Sequence, residues 1–207
     1  PRIAGYFGGF DLQAEVATSL NAALLDGLEE GEVVGLGQSY LDSAATARRT
    51  ELPHFTDKLP SNWMHIGLIM RLFPNAKIID VRRHPMATGV AQFRKPLGTG
   101  TGHAQNQVDF ARYYRAYSDF MAHFDAIAPG RVHHVQYEHL VEDPRGEVER
   151  MLDYCGLDFE ADCLEYWKAN RPVVTPSAEQ VRQPLTRAGI DHWTKFRPWF
   201  GEMEAAL

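Results

Sequence analysis

Apolar positions recur at three- and four-residue spacing along most of this chain, and short β-branched runs interrupt them. Residues 11 to 27 (Asp11, then LQAEVATSLNAALLDG) predict a helix that Gly27 closes. The stretch EEGEVVGLGQSYLDSAATARRTEL reads as a loop followed by a second helix from about Leu36 to Arg48. LPHFTDKLP is short and bracketed by prolines, and a buried strand is expected at its centre. In SNWMHIGLIMRLF, Met64, Leu68 and Leu72 line one side of a helix. Trp63, Ile66, Ile69 and Met70 widen the stripe, with Ser61 or Asn62 as N-cap.

Pro74 and Asn75 turn the chain into AKIIDV, a mostly apolar run of the kind found in buried parallel strands. Pro85 suits the first position of the next helix. A long helix is predicted from about Gln105 to Ala128, carried by Val108, Ala111, Tyr114, Tyr117, Met121 and Phe124. Pro129-Gly130 ends it, and RVHHVQY is the next strand. DPRGEVERMLDYCGL is a helix capped by Asp143, started by Pro144 and closed by Gly156. The tail, TPSAEQVRQPL and DHWTKFRPWF, reads as irregular and then briefly helical. The alternation predicts an α/β fold of one domain, a central parallel sheet with helices on both faces. Such sheets bind ligands at the carboxyl ends of their strands. Lys58 and Arg82/Arg83 fall at ends of that kind, and so are expected at the same edge.

Composition narrows what those cations serve. The 207 residues are 44% hydrophobic and 23% charged, with a net charge of -6. An acidic chain repels a polyanion, so nucleic acid is not expected as a partner and any anion site is small and focused. Cys155 and Cys163 are too few for a disulfide framework or a cysteine zinc site, and are expected as reduced thiols packed as small apolar groups. No HExxH pattern occurs, and His133 and His134 on a strand point to opposite faces, so no metal is expected. No run of about 18 apolar residues is present to span a membrane. The first residue is Pro1 with no signal region after it, so the chain is expected to be N-terminally incomplete and its setting cytoplasmic.

IIDVRRHP feeds Arg83 into a helix N-terminus, setting a guanidinium beside backbone N–H groups and the positive end of a helix dipole, a combination that binds phosphate. From this motif alone, a strand end whose arginines merely pair with surface acids is the plainer reading. The order of pieces adds more. FTDKLPSNWMHIGLIMRLFPNAKIIDVRRHP, a long helix, VHHVQYEHLVEDPRGEVERMLDYCGLDF and then PSAEQVRQP together resemble the sulfotransferase family. The likeness runs from Leu36 to Trp199. It is greatest to the bacterial kind often joined to TPR repeats, related to tyrosylprotein sulfotransferases.

The resemblance implies a P-loop-like three-layer fold and transfer of a sulfuryl group from 3′-phosphoadenosine 5′-phosphosulfate (PAPS) to a hydroxyl or amine, without a metal. The acceptor, whether small molecule, glycan or peptide, is not readable. By resemblance Lys58 in TDKLP touches the bridging oxygen of the donor and Arg83 the 3′-phosphate. Tyr137 in QYEHL lies beside the nucleotide, and Ser177 in SAEQVRQP lies near the transferring sulfonate. Arg182 and Arg187 belong to the segment that closes over the nucleotide. In-line transfer of this kind needs positioning and charge neutralisation, which suits a lysine at the leaving oxygen and a serine hydroxyl at the sulfonate.

The family pattern also departs here. Eight residues after Arg83, where a phosphate-binding serine is usual, stands Ala91; Thr88, on the same helical face, is the substitute. No PRSGTT-like phosphate loop is found, since Pro1-Arg2 is too short an echo and GYFGGF lacks the hydroxyls. Gly31-Glu32 offers the GE dipeptide of the general base, and His54 and His65 flank Lys58, but no base is assigned. GTGTGHAQN, Gly98 to Asn106 with His103, is a candidate acceptor lid or a plain surface loop. The alternative to an enzyme is a non-catalytic module of the same fold that binds nucleotide or a partner. A P-loop kinase is disfavoured because no GxxxxGK[ST] occurs.

Overall fold

The computed structural model describes residues 27–46, 48, 52–94, 106–169 and 179–207. The expected helix at 11 to 27 lies outside them apart from Gly27, as do Ser177 and the 98–105 part of the candidate lid. The chain divides into two compact units, one ending at Ala76 and the other spanning Lys77–Leu207.

In the first unit, helix α1 spans Glu30–Ala45. It starts well before the expected Leu36, through a stretch whose two glycines, Gly31 and Gly35, read as loop because each costs about 1 kcal/mol in a helix. The Glu29 N–H donates to Glu32 Oε2 at 2.9 Å. Glu30 and Glu32 add negative charge to the first turn, where the helix dipole favours it. Val33, Gly37 and Tyr40 form the buried side of α1. Gly37 is a close-approach position, since a Cβ there would sit 3.2 Å from the Leu72 carbonyl oxygen.

The strand expected in LPHFTDKLP is not formed: residues 54–59 carry no regular structure, and all but Leu59 are exposed. Pro53 and Pro60 each remove a ladder donor, and Thr56, Asp57 and Lys58 put three polar side chains in a row. The helix after it begins as a 3₁₀ turn, Pro60–His65, and continues as α2, Ile66–Leu72. Neither Ser61 nor Asn62 caps it; Leu59 holds that position in an extended conformation, without a capping side chain.

In the second unit, strand β1 spans Ile78–Arg82 and strand β2 spans Val132–Gln136. They pair in parallel, from Ile78 opposite Val132 to Arg82 opposite Gln136. Between them run α3, Pro85–Arg94, and α4, Gln107–Ile127. After β2 come α5, Tyr137–Glu142, α6, Pro144–Cys155, and the C-terminal α7, Gly201–Ala206. Asn106 caps α4 by accepting from the Val108 N–H at 2.8 Å. Asp143 caps α6 by accepting from the Gly146 N–H at 3.0 Å, and Gly156 ends it with φ 73°.

The core of this unit gathers Met86, Phe110, Ala111 and Met203, from α3, α4 and α7. β1 is less buried than its sequence predicts: Ile79 is 37% and Val81 62% exposed. Among the described residues the sheet has two strands, so β1 is an edge and one of its faces is open. The described elements thus supply a parallel β–α–β unit with its helices, rather than a full central sheet.

Candidate functional site

Two consecutive arginines at the end of β1 have different fates. Arg82, the last residue of the strand, lies on the same sheet face as Asp80 and His134. Its Nε donates to Asp80 Oδ2 at 2.9 Å. Asp80 also accepts from the Tyr117 hydroxyl at 2.6 Å and contacts His134 Nδ1 at 2.9 Å, while His134 Nε2 meets Asp125 Oδ1 at 2.9 Å. Burial, the Asp80 hydrogen bond and the Asp80 charge, in that order, push the Tyr117 phenol well above its ordinary range, so it remains a donor. Arg82 is therefore committed to a half-buried structural network.

Arg83 is not committed in that way. Among the described residues it forms no ion pair, and its Nε is buried with no hydrogen-bond partner. The parallel register places Arg82 beside Gln136, so the next residues, Arg83 and Tyr137, emerge together at the carboxyl end of the sheet. The guanidinium lies 5.2 Å from the centre of the Tyr137 ring, a cation–π contact that fixes its plane. One Nη donates to the carbonyl of Gly189, in the 3₁₀ turn Arg187–Gly189. The Tyr114 hydroxyl donates to the Arg83 carbonyl at 2.7 Å. The outcome is an oriented guanidinium with an unused buried donor, the feature expected of an anion site.

Glu138 completes the surroundings of Arg83. Its Oε1 accepts from the His84 N–H at 3.0 Å and its Oε2 from the Gln136 amide. Burial alone would raise this carboxyl; the hydrogen bonds from His84 and Gln136 and the nearby Arg83 charge outweigh it and hold the group below its ordinary value. One backbone donor expected to face a phosphate at the start of α3 is thus taken by a carboxylate. The His84 ring stacks on Trp193, with centroids 4.8 Å apart and planes 12° apart, tying the entry of α3 to the C-terminal stretch.

The remaining predicted residues of this unit occupy varied settings. The Thr88 hydroxyl donates to the His84 carbonyl at 3.2 Å, its own helix backbone, and Ala91 is exposed. Arg187 heads the turn whose Gly189 meets Arg83, but its own guanidinium pairs with Glu142 at 3.2 Å, both side chains largely in solvent. Arg182 is exposed at the end of the turn Gln180–Arg182. The site therefore joins Arg83, Tyr137 and the Arg187–Gly189 backbone. Glu138 and Gly189 were missed by sequence reading; only Glu138, next to Tyr137 in QYEHL, carried a readable signal.

In the first unit, Lys58 is exposed within the 54–59 run. Its neighbour Asp57 accepts from the Tyr40 hydroxyl at 2.6 Å, with Asn62 Nδ2 at 3.5 Å from its other oxygen. His65 is half-buried, and burial lowers its pKa, so it is neutral near pH 7. His54 is exposed, and Glu32 is engaged as the N-terminal acceptor of α1.

Among the described residues no group of three or more His, Cys, Asp or Glu side chains is disposed to hold a metal ion. No described helix is long and apolar enough to cross a membrane. Both cysteines are free thiols; Cys155 is half-buried, and Cys163 is exposed rather than packed away as expected.

Comparison with known proteins identifies the family. The model of the Sulfotransferase family matches residues 12–161. That is well over half of the chain, which belongs to the sulfotransferase family, a family of α/β fold. An uncharacterized protein of Aquifex aeolicus is 32% identical over 165 residues, covering 78% of this chain but 22% of that protein. A putative protein-tyrosine sulfotransferase of Caenorhabditis briggsae is 24% identical over 173 residues, covering 77% of this chain and 61% of the relative. An omega-hydroxy-beta-dihydromenaquinone-9 sulfotransferase, Stf3, of Mycobacterium bovis is 26% identical over 155 residues, covering 70% of this chain and 40% of the relative. The chain thus spans less than two thirds of the length of each of these relatives.

Proposed function

We propose that this chain moves a sulfuryl group from PAPS to a hydroxyl acceptor. The observation that carries the reading is Arg83: oriented by Tyr137, in no ion pair among the described residues, with a buried Nε that lacks a partner. In this reading Arg83 binds the 3′-phosphate and Tyr137 flanks the nucleotide, with Arg182 and Arg187 in the covering segment. The acceptor oxygen attacks sulfur, a new S–O bond forms as the S–O bond to the 5′-phosphate breaks, and 3′,5′-ADP leaves. Lys58 neutralises the charge that builds on the leaving phosphate oxygen, and Ser177 donates a hydrogen bond to the sulfonate. The acceptor proton passes to a base that is not assigned. A hydroxyl is favoured over an amine because relatives are named for protein tyrosine and for an omega-hydroxy menaquinone.

A second reading is nucleotide binding without transfer, in keeping with a general base that is not assigned; Ala91 and the Thr88 hydroxyl, turned to its own backbone, weaken the 3′-phosphate contact in either reading. Both readings share a first test, a thermal-shift titration with 3′,5′-ADP against 5′-AMP on wild type and Arg83→Ala. Ligand bound only by the folded state at 100 times Kd adds about 2.7 kcal/mol. A shift specific to 3′,5′-ADP and lost in Arg83→Ala is expected; equal response to both nucleotides removes the 3′-phosphate role of Arg83. Cleavage of PAPS then separates the enzyme from the inert module.

A further inference from the structure

The run that carries Lys58 has no backbone ladder to hold it. Residues 54–59 form neither helix nor strand and are nearly all exposed, yet a group that neutralises charge in a transition state must be held to within a fraction of an ångström. One end of the run is stiffened by Pro60, which follows the extended Leu59 and opens the 3₁₀ turn. The other anchor is Asp57. Its Oδ2 accepts from the Tyr40 hydroxyl at 2.6 Å, a short bond to an ionisable acceptor, while Asn62 stands at 3.5 Å from Oδ1.

Tyr40 is itself firmly placed. It is 8% exposed on the buried side of α1, with its ring 5.1 Å from that of Phe73. One turn earlier, Gly37 lets α1 approach the end of α2, where a side chain would press on the Leu72 carbonyl. A rigid phenol thus reaches out of the helical layer to grip the residue next to Lys58.

We propose that Tyr40 is a positioning residue for sulfuryl transfer: through Asp57 it fixes the backbone from which Lys58 presents its ammonium. The inference rests on the role given to Lys58 above. Burial, then the hydrogen bond and charge of Asp57, hold the Tyr40 phenol far above its ordinary range, so the hydroxyl remains a donor throughout the working pH range. In this inference the clamp acts on the reaction only through Lys58.

The test follows PAPS cleavage to 3′,5′-ADP with 4-nitrophenol or water as acceptor, alongside 3′,5′-ADP affinity, for Tyr40→Phe, Lys58→Ala and the double variant. Tyr40→Phe keeps the packing and deletes the grip. It is expected to lower kcat by about 10- to 100-fold, the scale of a misplaced catalytic group, with KM for PAPS and 3′,5′-ADP affinity unchanged. Asp57→Ala is expected to give the same pattern. In the Lys58→Ala background, Tyr40→Phe is expected to cost nothing further, because two residues acting through one ammonium do not add.

Wild-type kcat in Tyr40→Phe, beside a strongly slowed Lys58→Ala, overturns the inference and leaves the functional reading standing. A parallel fall in affinity and kcat, or a multiplicative loss in the double variant, also overturns it, since either marks a general loosening of the fold. Full activity in Lys58→Ala, or no cleavage by the wild type, removes the functional reading and the inference with it.

Discussion

Arg82 and Arg83 are neighbours of the same type, yet one is structural and the other open, and the pleat of β1 decides which. Arg82 shares the face of Asp80 and is drawn into its carboxylate, whereas Arg83 leaves the strand beside Tyr137 with a buried nitrogen to spare. The sequence shows the pair but not this division, which depends on the acid two residues back and on a partner strand fifty residues on. Glu138 offers a pH test of the open side. Its carboxyl is held below its ordinary 4.5, so the folded state binds fewer protons than the unfolded state in that range. Its contribution is therefore complete above about pH 4.5 and fades as pH falls through the folded value. Glu138→Gln is expected to cost about 1 kcal/mol at neutral pH, the low end for a charged hydrogen bond because the group is only half-buried. Thermal melts at neutral pH and at about pH 3 check this, with the deficit shrinking in acid. A deficit of the same size at both pH values would sink the assignment.

At the scale of elements, legibility follows how local the determinants are. α4 and α6 were readable because Asn106, Asp143, Pro144 and Gly156 write the caps into the chain itself. The start of α1 was not, since Gly31, Gly35 and Gly37 lower its propensity and the compensation at Gly37 is a close approach to Leu72. The expected strand around Lys58 was not formed for the opposite reason: a strand needs a partner, and prolines at 53 and 60 leave few donors to offer one. Gly89 is a glycine that helix propensity would replace and packing forbids. A Cβ there would lie 2.4 Å from Met203 Sδ and 2.8 Å from Phe110 Cε1, where α3, α4 and α7 meet. Gly89→Ala is expected to destabilise by about 1–3 kcal/mol through overpacking, although alanine is the better helix former. A chemical-denaturation midpoint equal to or above wild type would show that Met203 yields easily.

For the whole molecule, the family was legible because its motifs are long and ordered, while the architecture that joins them was legible only in its parallel β–α–β part. Lys58 and Arg83 could be singled out as candidates from motifs, but the carbonyl of Gly189 on Arg83 could not, because a backbone group more than a hundred residues away leaves no mark in the local pattern. That contact links the ligand reading to the C-terminal stretch. A net charge of -6 gives a phosphate no general attraction, so the proposed binding rests on local donors such as Arg83. Arg83 has five N–H donors, and Gly189 engages one nitrogen while Nε stays open. A phosphate that takes the open side leaves the Gly189 bond in place and adds charge-assisted bonds that hold the guanidinium still. The Arg187–Gly189 turn and the stretch His192–Trp199, tied to α3 by the His84–Trp193 stack, should then open less often. Amide hydrogen exchange across residues 187–199 is expected to slow with 3′,5′-ADP, to change little with 5′-AMP, and to respond to neither in Arg83→Ala. Faster exchange with 3′,5′-ADP would mean that the phosphate displaces Gly189, making this turn a competitor for the site rather than its cover.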